Sequence, residues 1–328
     1  IEDRIKILTR WKSIITIRDL VRFYDSVFIL VRSASKMPQQ EKIYKRNSRN
    51  QARKLESEFV VIGSGPGGAT MGSILAEAGR EVVIVEEGRS WPRGEIADFS
   101  FEELRFKYRN GGLTPTFGTT KIAYVEGQCL GGGSEVNSGL YHRTPPEILR
   151  YWNEHFDLQD SEPEKMLQHF EYCEESLSVS NLPGTASKAS LKLDQGAKAL
   201  GWESQEVPRW VKFPKSGKGS GIKQTMKLTL LKRFKKAGGE IHEGVRVESI
   251  EKQKDKWRLN LKTSSGNTKI HAYSGTILSS GAIGTPALLK RSGLSKNAGK
   301  NLQMHPTIKV TALFDEVVNH DKMGVPIH

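Results

Sequence analysis

The chain has 328 residues, 37% hydrophobic and 27% charged, with 32 Gly and 13 Pro. This describes a globular protein long enough to bury a substantial core and excludes a collagen-like, low-complexity or wholly disordered chain. Two cysteines, Cys129 and Cys173, exclude a disulfide framework, and no Cys or His cluster has the spacing of a zinc site.

The net charge of +13 is uneven: residues 1–54 carry a net +9, and Arg209 to Lys236 holds ten basic residues and no acid, leaving the remainder mildly acidic. The chain opens on Ile1 instead of Met, which points to a native start further upstream. Residues 1–54 read as a basic helical extension and linker. Within them, Ile14 to Ala34 has the apolar spacing of an amphipathic helix, suited to packing on the body or to peripheral contact with a membrane surface. The apolar run Val27 to Val31 is far short of the roughly 20 residues a bilayer span needs. No membrane span and no secretion signal is expected, so the location reads as cytoplasmic or peripheral to a membrane.

From Glu58 the pattern changes. Phe59 to Ile62 is a short β-branched run of the kind that forms a buried parallel strand. It enters Gly63-Ser64-Gly65-Pro66-Gly67-Gly68, which satisfies GxGxxG at Gly63, Gly65 and Gly68, followed by a small-residue helix from Ala69 to Ala78. A second strand, Glu81 to Val85, ends at Glu86, 18 residues after Gly68. In dinucleotide binding Gly63 allows the tight turn, Gly65 admits the pyrophosphate, and Gly68 lets helix and strand pack closely. The helix N-terminus faces the anion, and Glu86 can accept hydrogen bonds from a ribose hydroxyl. Glu87 competes for that role by adjacency, but strand alternation turns only one of the pair the right way, and Glu86 follows the strand more directly. Glu86→Ala is expected to weaken cofactor binding without unfolding the chain.

A second glycine run, Gly127-Gln128-Cys129-Leu130-Gly131-Gly132-Gly133-Ser134-Glu135-Val136-Asn137-Ser138-Gly139, is too glycine-rich for a plain loop. Backbone N–H groups freed of side chains suit a second phosphate contact or passage under a flat ring. A nicotinamide dehydrogenase needs only the first loop, whereas a long dinucleotide such as FAD would meet both. Between Tyr151 and Ile222 these signals fade and Trp152, Pro183, Trp202, Pro208, Trp210 and Pro214 mark a different unit, whose aromatics fit a core more readily than a substrate cavity. Met226 to Ala237 has helical apolar spacing, which makes its lysines a solvated face in preference to a polyanion site. Val245 to Glu251, Trp257 to Leu261 and Lys269 to Tyr273 read as a β-meander, and Thr276 to Ser279 as a separate strand running into Gly281, Ala282 and Gly284 and a further helix. Among the eight histidines only His142, just after the second run, and His305, beside a proline, merit mutation; neither has the partners of a catalytic base.

VVIGSGPGGA with IVEEG, GQCLGGGSEVNSGLYHR, and SSGAIGTPALLKRSGL followed by GKNLQMHP resemble, in order, the motifs of the glucose-methanol-choline family of FAD-dependent oxidoreductases. The resemblance runs from residue 58 to about 310. It implies an α/β fold: an FAD-binding Rossmann-like parallel sheet with a β-meander over 55–150 and 221–310, and part of an inserted α+β substrate domain over 151–220 and 311–328. It further implies that Asn137 packs by the flavin ring, that Val247 touches the adenine end through its backbone, and that Gly281 and Ala282 lie along the FAD. The implied cofactor contacts are Gly63, Gly65, Pro66, Gly68, Glu86, Gly131, Gly132, Ser134, Asn137, Val247, Gly281 and Ala282. The covalent attachment of some members uses a His where this chain has Val136, so FAD would be held non-covalently. Ser295 and Met304 depart from the family pattern. The implied activity is oxidation of a small-molecule alcohol by hydride transfer to flavin, with oxygen, a quinone or a cytochrome as acceptor and no nucleic acid or metal. The family's catalytic His and its partner are expected beyond His328, so no catalytic residue is assigned within the chain. The alternatives are a flavin-binding remnant without catalysis, a nicotinamide-dependent dehydrogenase, and a basic protein whose Arg209 to Lys236 block contacts polyanions.

Overall fold

The computed structural model describes residues 55–91, 96, 100–112, 114–116, 122–183, 186–214, 221–305 and 312–318. The basic extension read over 1–54, with its Ile14 to Ala34 helix, lies outside the described residues, as does most of 306–328. In chain order the elements are β1 (Glu56–Ile62), α1 (Pro66–Glu77), β2 (Val82–Glu86), α2 (Phe101–Lys107), β3 (Thr114–Pro115), β4 (Ala123–Tyr124) and α3 (Gly133–Val136). There follow α4 (Pro146–Phe156), α5 (Pro163–Leu177), α6 (Lys188–Ala199), β5 (Val211–Lys212), β6 (Ile222–Lys223) and α7 (Leu230–Lys236). The last are β7 (Glu240–Glu243), β8 (Arg246–Lys252), β9 (Trp257–Thr263), β10 (Gly266–Leu278) and α8 (Gly281–Arg291). None of the described helices is long and apolar enough to cross a membrane.

Six strands form one sheet in the order β7-β2-β1-β10-β9-β8. β7, β2, β1 and β10 run parallel, while β10, β9 and β8 pair antiparallel as the meander. Burial on both faces explains why β1 and β2 carry unbroken apolar runs instead of an alternating pattern. Val60, Ile62, Val83 and Val85 point to one side, into a core shared with Val247, Leu259, Ile270 and Leu288. Val61, Val82 and Ile84 point to the other, against Ala69 and Ala76 of α1 and Leu230, Leu231 and Phe234 of α7. α1 can lie this close because its inner stripe is Gly68, Ala69, Gly72, Ser73 and Ala76. A Cβ on Gly72 would stand 2.8 Å from Ile84 Cδ1.

Three sequence expectations change. Lys269 to Tyr273 and Thr276 to Ser279 are not two strands: β10 is continuous, its first half antiparallel to β9 and its second half parallel to β1. Gly275 makes this possible, since a Cβ there would press on the Phe59 ring at 3.3 Å. α1 starts at Pro66, because proline's fixed φ suits a first helical position whose N–H needs no partner. α7 starts only at Leu230; the preceding Met226 turn is held by the Leu231 N–H on the Met226 carbonyl. The apolar side of that helix is buried as its spacing predicts, with Arg233 on the outside paired to Glu77 at 2.7 Å.

Candidate cofactor site

At the carboxyl ends of β1, β2 and β10 lies an open cleft of about 1280 Å³. This edge of an open α/β sheet is where ligands are expected, and the volume exceeds the roughly 300–1,000 Å³ of ordinary small-molecule pockets. Of the residues expected to contact a cofactor, Gly63, Gly65, Pro66, Glu86, Gly132, Ser134, Asn137, Val247, Gly281 and Ala282 line it. Gly68 and Gly131 do not, and their roles are structural. A Cβ on Gly68 would collide with the Gly63 carbonyl, and one on Gly131 would stand 2.9 Å from Glu135 Oε1.

The first turn of α1 has no side-chain cap, and a Cβ on Gly65 would meet nothing within 4 Å, so its bare backbone faces open space. Gly63, at φ +100°, turns where any side chain would strike the Ser279 carbonyl. The two glycine loops touch directly: a Cβ on Gly132 would lie 2.9 Å from Gly65 Cα. Sequence reading did not foresee this contact, because the loops are far apart along the chain. The start of α8 at Gly281 also lacks a side-chain cap and lines the cleft. Unsatisfied helix N–H groups and unshielded backbone are what a dinucleotide phosphate requires, so the residues present fit the group.

Glu86 is 7% exposed and engages the protein itself. One carboxylate oxygen accepts the Ser64 N–H at 2.8 Å and the Ser64 hydroxyl at 2.6 Å; the other accepts the Gly88 N–H at 2.7 Å. Ser64 Oγ in turn accepts the Gly131 N–H at 3.0 Å. Glu86 therefore joins the tip of β2 to both glycine loops through Ser64, a residue the sequence did not single out. Burial pushes its carboxyl above the usual range, against the downward pull of the three donors. Glu86→Ala would strand those donors, so it is expected to cost stability as well as cofactor binding. Glu87 also lines the cleft, so strand alternation does not keep one of the pair away. It accepts from Arg109 at 3.1 Å and Gln128 at 2.8 Å.

Ser134 is fully buried: its hydroxyl donates to the Gly131 carbonyl at 2.7 Å and accepts the Met226 N–H at 3.0 Å. Asn137 Oδ1 accepts the Gly139 N–H at 3.2 Å. Val247 lies beside Val245, whose N–H donates to the Glu86 carbonyl at 2.9 Å and so brings β8 to the cleft. His305 lines the cleft, as does Met304; His142 does not, and none of the tryptophans and prolines of 151–220 reaches it. No group of three or more His, Cys, Asp or Glu among the described residues is arranged to hold a metal.

A family model described as GMC oxidoreductase matches residues 104–307, and one for an NAD(P)-binding Rossmann-like domain matches residues 61–119. The chain is 34% identical over 291 residues to the uncharacterized GMC-type oxidoreductase y4nJ of Sinorhizobium fredii (strain NBRC 101917 / NGR234), covering 85% of this chain and 58% of that protein. It is 27% identical to long-chain-alcohol oxidase FAO4A of Arabidopsis thaliana over 80% of this chain and 38% of the oxidase. It thus spans little more than half of the first relative's length and less of the second's. Among solved structures, the formate oxidase of Aspergillus oryzae RIB40, studied for its FAD modification, superposes with a TM-score of 0.58 at 16% identity, covering 74% of this chain and 48% of that one. That likeness carries the fold. The chain belongs to the glucose-methanol-choline (GMC) oxidoreductase family, whose cofactor is FAD.

Proposed function

We propose that this chain is the cofactor-binding part of an oxidoreductase that oxidises a small-molecule alcohol at its CH–OH carbon. The observation that carries the reading is the backbone contact of Gly132 with Gly65, which lines one cleft with two glycine loops. A nicotinamide dehydrogenase would account for the first loop alone. The bare N–H groups at Gly65 and in the first turn of α1 hold the pyrophosphate, with Pro66 fixing that turn and Gly68 seating the helix on the strand. Glu86 and Glu87 border the ribose, and the backbone of Val247 borders the adenine. Gly131, Gly132, Ser134 and Asn137 shape the wall for the flavin ring, and Gly281 and Ala282 run along the cofactor. FAD, held non-covalently past Val136, supplies the electron-accepting ring for hydride from the alcohol carbon.

The base that takes the hydroxyl proton is not assigned to any described residue; His305 at the cleft is the histidine to test. Residues 55–150 and 221–310 form the FAD-binding domain in this reading, with 151–220 and 311–328 belonging to a substrate domain. The name of the Arabidopsis relative favours oxygen over a quinone or cytochrome as acceptor.

Absorption spectroscopy of the purified protein tests the reading. A flavin band is expected, lost in Gly65→Val, whose Cβ would enter the phosphate space with no other protein atom within 4 Å. A Gly65→Val protein with its full flavin content would overturn this placement of the cofactor.

A further inference from the structure

Lys223 lies at the end of the β5–β6 hairpin, 86 residues beyond Asn137 in the chain, yet its ammonium donates to the Asn137 carbonyl at 2.7 Å and to the Glu135 carbonyl at 2.9 Å. Those carbonyls close the end of α3, a single helical turn whose last acceptors have no helical partner. A cation there both satisfies the acceptors and opposes the partial negative charge of the turn. The stem of the lysine packs on the same loop. Gly139 holds φ +73°, and a Cβ on it would stand 3.2 Å from Lys223 Cδ and 3.3 Å from Trp210 Nε1. The Gly139 N–H is bound by Asn137 Oδ1, and the Gly139 carbonyl accepts the Trp210 N–H at 3.0 Å. The hairpin thus holds residues 135–139, of which Val136 and Asn137 line the cleft. α3 is too short to hold this shape by its own hydrogen bonds.

We propose that Lys223 is a positioning residue for the cofactor: it clamps the second glycine loop through the Glu135 and Asn137 carbonyls and so sets the wall against which the flavin ring rests. The cofactor half of this inference rests on the proposed function; the clamping half stands on the geometry alone. No other cation is bound to either carbonyl among the described contacts.

Two measurements on the purified full chain, as wild type, Lys223→Met and Lys223→Arg, test it. One is hydrogen exchange of the segment 131–141, and the other is titration with FAD. Lys223→Met keeps the packed stem but strands two carbonyls, so loop exchange is expected to rise about ten-fold and FAD affinity to fall about ten-fold. Exchange in β1 and β2 should stay unchanged, which separates a loosened loop from a loosened fold. Lys223→Arg, whose guanidinium offers donors to both carbonyls, is expected to restore both values to within about three-fold. Unchanged loop exchange in Lys223→Met would overturn the clamp. A loosened loop with undiminished FAD affinity would overturn the cofactor role. A wild-type chain that takes up no FAD would overturn the proposed function and the cofactor role with it, while the exchange measurement would still decide the clamp.

Discussion

The sheet with α1 and α7, and the helices α4 to α6, are held by different means. In the first region β2 is buried along its whole length and Phe234 of α7 is fully buried. In the second, Leu149 is the buried residue of α4, and α5 and α6 have none. α4 instead exposes Ile148, Tyr151, Trp152 and Phe156, and the lobe is tied to its surroundings by polar contacts such as Arg143 on Glu174 at 2.5 and 2.7 Å. Amphipathic spacing is present in both regions, but only in the first is most of the apolar stripe buried among the described residues; in the second, Leu149 is buried and Leu177 partly so against the core. A periodic stripe shows which side of a helix wants burial; the packing partner decides whether burial follows.

The sharpest way to break this contrast is Gly68→Val. Its Cβ would strike the Gly63 carbonyl and stand 3.2 Å from Val61 Cγ1, so α1 would have to leave β1. A loss above about 4 kcal/mol, or failure to fold, is expected in urea unfolding. Wild-type stability in that variant would show that α1 does not sit on the strand as described. Phe234→Ala should cost about 3–5 kcal/mol, because it empties a fully enclosed site. Trp202→Ala, at a residue 68% exposed, should change stability by less than about 0.5 kcal/mol, and equal costs for the two would erase the contrast between regions.

Glu86→Ala is the next step down, at about 2–3 kcal/mol, because it leaves the Ser64 and Gly88 donors buried and unpaired. Its pH dependence carries a sign. The carboxyl is raised by burial, so the folded state favours the protonated form. Relative to Glu86→Gln, the contribution is full below the unfolded value of about 4.3 and is lost as pH rises through the folded value. A stability difference that grows with pH would mean the three donors outweigh burial. The smallest effect expected is at Arg233 and Glu77 on the surface, about 0–1 kcal/mol in water-screened surroundings. Glu77 is lowered by its hydrogen bond to Arg233, so this contribution is present above about 4.3 and fades as pH falls through the folded value. Thermal melts of Arg233→Met across that range would check it.

Much of the site was legible because its signals are local. Gly63, Gly65 and Gly68 each occupy the position their spacing assigned, and the strand before and after them pairs as expected. Other features were not legible because they depend on residues distant in the chain. Ser64 carries no signal of its own until Gly131 and Glu86 are brought to its hydroxyl. Lys223 was one more basic residue of the block from Arg209 to Lys236, yet it is bound to the glycine loop. Ser274 and Gly275 read as an interruption, but β1 on one side carries β10 straight through.

The sequence by itself determined the parallel strand, the glycine turn, the first helix and the family, since each rests on short-range patterns of side-chain size and backbone freedom. Tertiary structure alone decided which way Glu86 turns, which glycines face open space, and which of two candidate histidines stands at the cleft. Those outcomes depend on how buried donors and acceptors are satisfied across the fold, and a buried carboxylate goes to whatever N–H groups the packing delivers.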